Sequence, residues 1–389
     1  MNITLLNAQL SAGNITSLRI VGPLIGALGV AAEPGDSIVD LEGDRVLPGL
    51  INAHDHLHLN SLARPDFGKS YRHVRDWIAD VDARRRSDPE FKASVAVARD
   101  ERLLIGGVKN LLSGVTTVAH HDPLYPYLAN PHYPIHVVRD YGWAHSLDVD
   151  GEDKVRRSHR STPSEAPFIM HAAEGVDAAA GHEFERLEAL GCLGASTLLV
   201  HGVALGRAQR ERLAHAGAGL LWCPSSNLNL FGQTAAVSEL AARGRVALGT
   251  DSRLSGARDL LEELRLVARL GVLGESSLEA IVTSASARLL RLRDRGELTP
   301  QARADILVLP ARTRLGAARR ADVRLVLIDG MIRYGDRDYA ERLAPRAALT
   351  EVRVDGRAKV LDRNTAALIS HAQVGEAGLE LAPLNWRAA

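Results

Sequence analysis

Through the middle of the chain, from Leu47 to about Leu292, short apolar runs alternate with longer stretches in which apolar residues recur every three or four positions. Runs at 115–119, 168–170, 197–200, 219–223 and 246–250 have the length and content of buried strands. Helical periodicity covers 91–112, 183–190, 207–216, 258–270 and 277–292. Such alternation predicts parallel strands joined by crossover helices. Outside that span the pattern changes. Residues 3–37 read as short strands broken by Gly13 and Gly22-Pro23, and strand-like runs return at 305–309, 323–328 and 331–334. The expectation is an α/β middle flanked by β-rich ends that join in one small sheet domain.

With 389 residues, 46% hydrophobic and 24% charged, the chain has the balance of an ordinary globular protein, long enough for one large domain and a smaller one. Its formal charge is zero, so no global field draws it to nucleic acid or to an anionic membrane. The apolar run 20–32 contains Pro23 and is too short to span a bilayer, and the N-terminus lacks the regions of a signal peptide. Two cysteines, Cys192 and Cys223, give no disulfide framework. A cytoplasmic protein is expected. The basic stretch 312–324 reads as a solvated loop.

The chemistry-bearing residues follow the apolar runs. Leu47-Pro-Gly-Leu-Ile-Asn-Ala leads into His54-Asp55-His56, and side chains alternate along a strand, so both imidazoles point the same way. Two nitrogens so placed suit one metal ion. His58 continues the alternation as a substrate contact or a loop histidine. His171 with Glu174 pairs a metal-binding imidazole with a carboxylate able to shuttle protons. His201 follows 197–200 and would polarise the attacked carbon or orient water, and the turn at Ser226 and Asn227 is a further polar strand end. Asp251 follows 246–250, and a carboxylate buried there is costly unless paired or bound to metal, which favours ligation over a helix cap. In a parallel barrel all these positions share the C-terminal mouth, where such folds carry their sites. His120, His121 and His145 also cluster at strand ends, and polar lining or substrate contact is favoured over a metal site. Trp77, Trp143, Trp222 and Phe231 are ring-stacking candidates or core; Arg64, Arg72 and Arg253 are surface arginines by default.

The series from Pro48 through His54 and His56, Gly114-Val-Thr-Thr-Val, His171-Ala-Ala-Glu174, His201-Gly-Val-Ala-Leu, Cys223-Pro-Ser-Ser226-Asn227, Gly249-Thr-Asp251-Ser and Ala304-Asp-Ile-Leu-Val-Leu resembles the amidohydrolase superfamily. Within it the chain is similar to the branch of cytosine, guanine and adenosine-type deaminases and triazine hydrolases. The resemblance implies a distorted (β/α)8 TIM barrel over 48–297 and a small β-sandwich built from 1–47 with 298–389. It implies one divalent metal, zinc first with iron or manganese as alternatives, held by His54, His56, His171 and Asp251. Glu174, His201 and Asp251 would be catalytic, and His58, His145 and Asn227 would contact substrate. The binuclear branch bridges its metals through a carboxylated lysine after the fourth strand, and residues 137–150 contain no lysine, which favours one metal. Less sequence separates 118 from 168 than the family spends on its third and fourth units, so an irregular barrel is expected there.

The function so implied is hydrolytic deamination of an amino-substituted nitrogen heterocycle such as a purine, pyrimidine or pterin, by metal-activated hydroxide with Glu174 as proton shuttle. The nearest rival is the same machinery acting on an amide or on a triazine-like chloride or alkylamine. A remote rival is a non-catalytic scaffold, against which all six expected polar positions stand intact. The partner expected is a small molecule, with no nucleic acid and no membrane. The resemblance allows a homo-oligomer and does not fix its size.

Overall fold

A computed structural model describes residues 2–10 and 13–381. Its centre is a row of eight strands: β1 (Leu50–Asp55), β2 (Val115–His120), β3 (His136–Val137), β4 (Gly142–Trp143), β5 (Phe168–Ala172), β6 (Thr197–His201), β7 (Gly219–Trp222) and β8 (Val246–Leu248). β1, β2 and β3 pair in parallel, and β4 to β8 form a second parallel sheet in sequence order. A parallel bridge between Asp55 and Asp251 joins the two. Around it the N–H groups of Thr250 and Asp251 donate to the His54 carbonyl at 3.0 Å, and the His56 N–H donates to the Asp251 carbonyl at 2.6 Å. The row therefore runs β3-β2-β1-β8-β7-β6-β5-β4, and the strands at its two ends are consecutive in sequence. The fold is α/β with parallel sheets.

Burial explains why these segments are strands. Every residue of β1, β2, β5, β6, β7 and β8 is buried, as expected of parallel strands covered on both faces. Helices Ala178–Ala189 and Arg207–His215 are the crossovers from β5 to β6 and from β6 to β7. The helical pattern at 91–112 divides into Pro89–Ala96 and Arg99–Leu112, with Val97 and Ala98 in extended backbone between them. That at 277–292 divides into Glu275–Ala280 and Ser284–Leu289, where the Thr283 hydroxyl turns back onto the Glu279 carbonyl. Between β3 and β4 only residues 138–141 intervene, with no helix, so the chain is irregular where its shortness foretold.

Strands from both chain ends join in one eleven-stranded sheet, sewn together where Arg45–Pro48 pairs antiparallel with Ile306–Leu309. Ile3, Leu5, Val46, Ile306 and Val308 are among its fully buried residues. The stretch 312–324 departs from the solvated loop expected of it. Arg320 is 2% exposed, 2.8 Å from Asp259 and 2.7 Å from Glu376, and Glu376 also takes Arg253 at 2.5 Å. A basic sequence is blind to carboxylates supplied from elsewhere in the chain. Among the described residues no helix is long and apolar enough to cross a membrane.

Beneath the β1–β8 junction lies a fully buried ionic network. Lys109 Nζ donates to Asp55 Oδ2 at 2.9 Å, to Asn60 Oδ1 at 2.8 Å and to Thr250 Oγ1 at 3.0 Å. Asp55 also accepts from Asn110 at 2.8 Å, Asn60 at 2.7 Å and Asn52 at 3.1 Å. Removing one partner of such a pair strands the other charge. Lys109→Met should therefore lower the unfolding free energy by about 3 to 5 kcal/mol in a urea titration, with the far-ultraviolet spectrum of the folded protein unchanged.

Candidate metal centre and active site

β1, β5, β6 and the turn after β8 deliver the expected residues to one end of the parallel row. His56 Nε2 lies 3.3 Å from His171 Nε2, and Asp251 Oδ1 lies 3.6 Å from His54 Nε2 and 3.5 Å from His56 Nε2. A ligating atom from each of His54, His56, His121 and His171 falls within 4.8 Å of the others, and His54, His201 and Asp251 form a second such set. Close approach of the strands is a precondition. A Cβ on Gly249 would sit 2.6 Å from the His54 Cβ and 2.8 Å from its carbonyl oxygen, so only glycine lets β8 lie against the ligand-bearing end of β1. Ala173, His201 and Asp251 all take left-handed backbone, with φ of 52°, 72° and 59°, a strain that concentrates at functional turns.

Hydrogen bonds fix which nitrogen each imidazole presents. His171 donates from Nδ1 to the His145 carbonyl at 2.8 Å, so its Nε2 lone pair points inward, and His56 Nδ1 lies 2.7 Å from Asp122 Oδ2, which turns its Nε2 toward the same point. Neither nitrogen of buried His54 has a partner. Asp251 Oδ2 accepts from Ser226 at 2.7 Å and Ser255 at 2.5 Å, so Oδ1 is the oxygen left toward the histidines. Convergent imidazole lone pairs with one carboxylate oxygen are a donor set that fits a divalent cation.

The electrostatics agree. Burial holds His54 neutral, its pKa lowered to about 4, the form that ligates metal. At His56 burial opposes charge, but Asp122 and then Asp251 outweigh it and raise the pKa to about 9, so the position welcomes positive charge. Asp251 stays ionised against its burial because His54, His201 and His56 hold its carboxyl far below the usual range. Glu174 goes the other way. Burial, then the charges of Asp251 and Glu183, push its pKa well above the ordinary value, which favours its protonated form. Its Oε1 lies 3.3 Å from His201 Nε2. His201 Nδ1 is 2.8 Å from Asn227 Oδ1, and Asn227 Nδ2 donates to Thr234 at 3.1 Å, so His201 is protonated at Nδ1 and offers a lone pair at Nε2.

The amidohydrolase family signature matches residues 159–333. A 5-methylthioadenosine/S-adenosylhomocysteine deaminase of Halobacterium salinarum is 26% identical, over 84% of this chain and 90% of its own length. An 8-oxoguanine deaminase of Pseudomonas aeruginosa is 28% identical over 74% of this chain and 79% of its own. The chain is thus similar to members of the amidohydrolase superfamily. An adenosine deaminase of Xanthomonas campestris with bound zinc shares the fold of this chain at a TM-score of 0.72, with 18% identity, 95% of this chain and 97% of that one covered.

The remaining expected contacts are placed less simply. Asn227 is committed at both ends of its amide, which makes it a support for His201. His145 offers its carbonyl to His171 while its ring lies 4.7 Å from that of His171. His58 sits beside Asp122, 3.6 Å from its Oδ2. Sequence reasoning passed over Asp122, which follows the flagged His120 and His121, and also Glu183 and Glu263. Glu183 accepts from the Ala173 N–H at 2.6 Å, and Glu263 from the Ser225 N–H at 2.7 Å, so each carboxyl steadies a turn of the site.

Burial raises Glu263 to a pKa of about 8. A carboxyl whose pKa is raised on folding binds its proton more tightly in the native state, so its contribution to stability falls as pH climbs from the ordinary 4.5 to that raised value. Glu263→Gln keeps the oxygen acceptor without the titration. Its unfolding free energy, measured against wild type in urea, should gain progressively, by about 1 to 3 kcal/mol, across that window and hold constant above it.

Proposed function

We propose that this chain is a hydrolytic deaminase of an amino-substituted nitrogen heterocycle, with purines the first class to test. The observation that carries the reading is the pairing of one carboxylate held ionised among imidazoles, Asp251, with one held protonated 3.3 Å from His201, Glu174. Deaminases among its relatives, two of them matched over 90% and 79% of their own length, support it. The order of the eight strands supports a (β/α)8 barrel over 48–297, and the shared sheet of both ends supports a composite smaller domain from 1–47 and 298–389.

In this reading His54, His56, His171 and Asp251 hold one divalent cation, zinc by the chemistry of its donors. When bound, such an ion lowers the pKa of water toward neutrality. The residues of the chain do the rest. Asp251 Oδ1 accepts a proton from the attacking water and keeps its oxygen aimed at the amino-bearing carbon. Glu174 gives its proton to the ring nitrogen beside that carbon, which makes the carbon electrophilic, then takes the remaining hydroxyl proton of the adduct and passes it to the departing amine, while the proton held by Asp251 returns to restore Glu174. His201, locked by Asn227, accepts a hydrogen bond at Nε2 from the attacking water and so aims its oxygen. Water thus adds its oxygen to carbon, the carbon–nitrogen bond breaks, and ammonia leaves.

Glu174→Gln should keep metal content and substrate binding while kcat falls by about 10² to 10⁴, read by metal analysis beside steady-state kinetics. Screening the zinc-loaded enzyme over aminopurines, aminopyrimidines and pterins should release ammonia in step with loss of substrate. A substrate consumed without ammonia would remove deamination and leave the amide or triazine chemistry standing.

A further inference from the structure

We propose that His121 is an additional ligand of the same cation, bound through Nδ1. The proposal rests on the reading that this centre holds a divalent ion, and adds a donor from β2's end that the family resemblance does not supply. Three observations carry it. His121 is 1% exposed, and its Nε2 lies 2.9 Å from the Ala144 carbonyl, which accepts only from an N–H. The proton is therefore on Nε2, and Nδ1 keeps a lone pair. That Nδ1 is buried with no hydrogen-bond partner.

The ring also stands where a ligand would. It stacks on His171 at 4.3 Å between centroids and meets His54 edge-on at 5.0 Å, and a ligating nitrogen of His121 belongs to the set with His54, His56 and His171 that falls within 4.8 Å. The arrangement repeats that of His171. There, one nitrogen donates to a backbone carbonyl one residue further along the same segment, and the other faces the centre. A histidine whose outer N–H is anchored to a carbonyl is oriented as metal-bound imidazoles are. Polar lining, the alternative for His121, leaves the buried lone pair unexplained.

With Asp251 the protein then supplies five donors, four of them imidazole, and the attacking water would be a sixth ligand. So nitrogen-rich a set disfavours magnesium and calcium. X-ray absorption at the zinc edge of the wild-type holoprotein should count about four imidazoles, against about three without His121. His121→Ala should bind zinc at least about tenfold more weakly in a chelator competition, and its cobalt-substituted form should absorb more strongly in the visible as coordination drops by one. Three imidazoles in a wild type that carries one zinc, or an His121→Ala protein with unchanged zinc affinity and cobalt spectrum, would overturn the proposal alone. A wild type that takes up no zinc would overturn the metal reading with it. Should His121→Ala fail to fold, the absorption count on wild type decides.

Discussion

Three of the expected ligands, His54, His56 and Asp251, lie at the ends of two strands that are joined by a single bridge, and the buried pair of Asp55 with Lys109 holds that bridge in register. Asp55 stands between His54 and His56, so its side chain points to the face opposite theirs. There it meets an ammonium that also bonds Thr250, the residue before Asp251. One cation thus ties the backbone of β1 to the turn after β8, directly behind the donors. Two charges removed from water need every lone pair and proton occupied to be tolerable, and Asn52, Asn60 and Asn110 supply those partners. The gain is geometric. A carboxylate with this many fixed donors cannot rotate, and the imidazoles on either side of it inherit that rigidity.

Rigid strands alone would not select a nitrogen on each ring. That is done by oxygen acceptors outside the centre: the His145 carbonyl for His171, Asp122 for His56, and Asn227 for His201. Each takes the outward N–H and leaves the inward lone pair. Left-handed backbone at Ala173, His201 and Asp251 turns the chain sharply once its donor has been placed, and the Glu183 carboxyl braces the first of those turns. The strain is affordable only because the surrounding sheet is fully buried and cannot relax.

The fold was legible where periodicity is local. The middle strands and crossover helices follow from apolar spacing, and the short link between β3 and β4 follows from the small number of residues available. Helix 74–87 was not foreseen: none of its side chains is fully buried, and its short apolar stripe of Val74, Trp77 and Val81 packs only partly against the core before the chain turns to arginines. His54, His56, His171, Glu174, His201 and Asp251 were readable because each closes an apolar run. Lys109 was not, since a lysine inside a helical stretch reads as solvated until a partner 54 positions away is known. Asp122 and Arg320 escaped for the same reason. Pairing across the chain is invisible to composition, and a charge is judged exposed by default.

The proposed chemistry depends on carboxyl groups close to one another being driven to opposite protonation states. Asp251 faces imidazoles and accepts two hydroxyls, so its negative charge is stabilised from several sides. Glu174 has burial and two neighbouring carboxylates against it, and only the Nε2 lone pair of His201 within reach, which accepts a proton and cannot donate one. A neutral acid beside an ionised base is the division that general acid–base hydrolysis requires at neutral pH. In the proposed reading, the tautomer of His201 that Asn227 favours therefore helps to keep Glu174 protonated before reaction. A single amide flip at Asn227 would reverse that effect, which makes this buried side chain part of the acid's tuning.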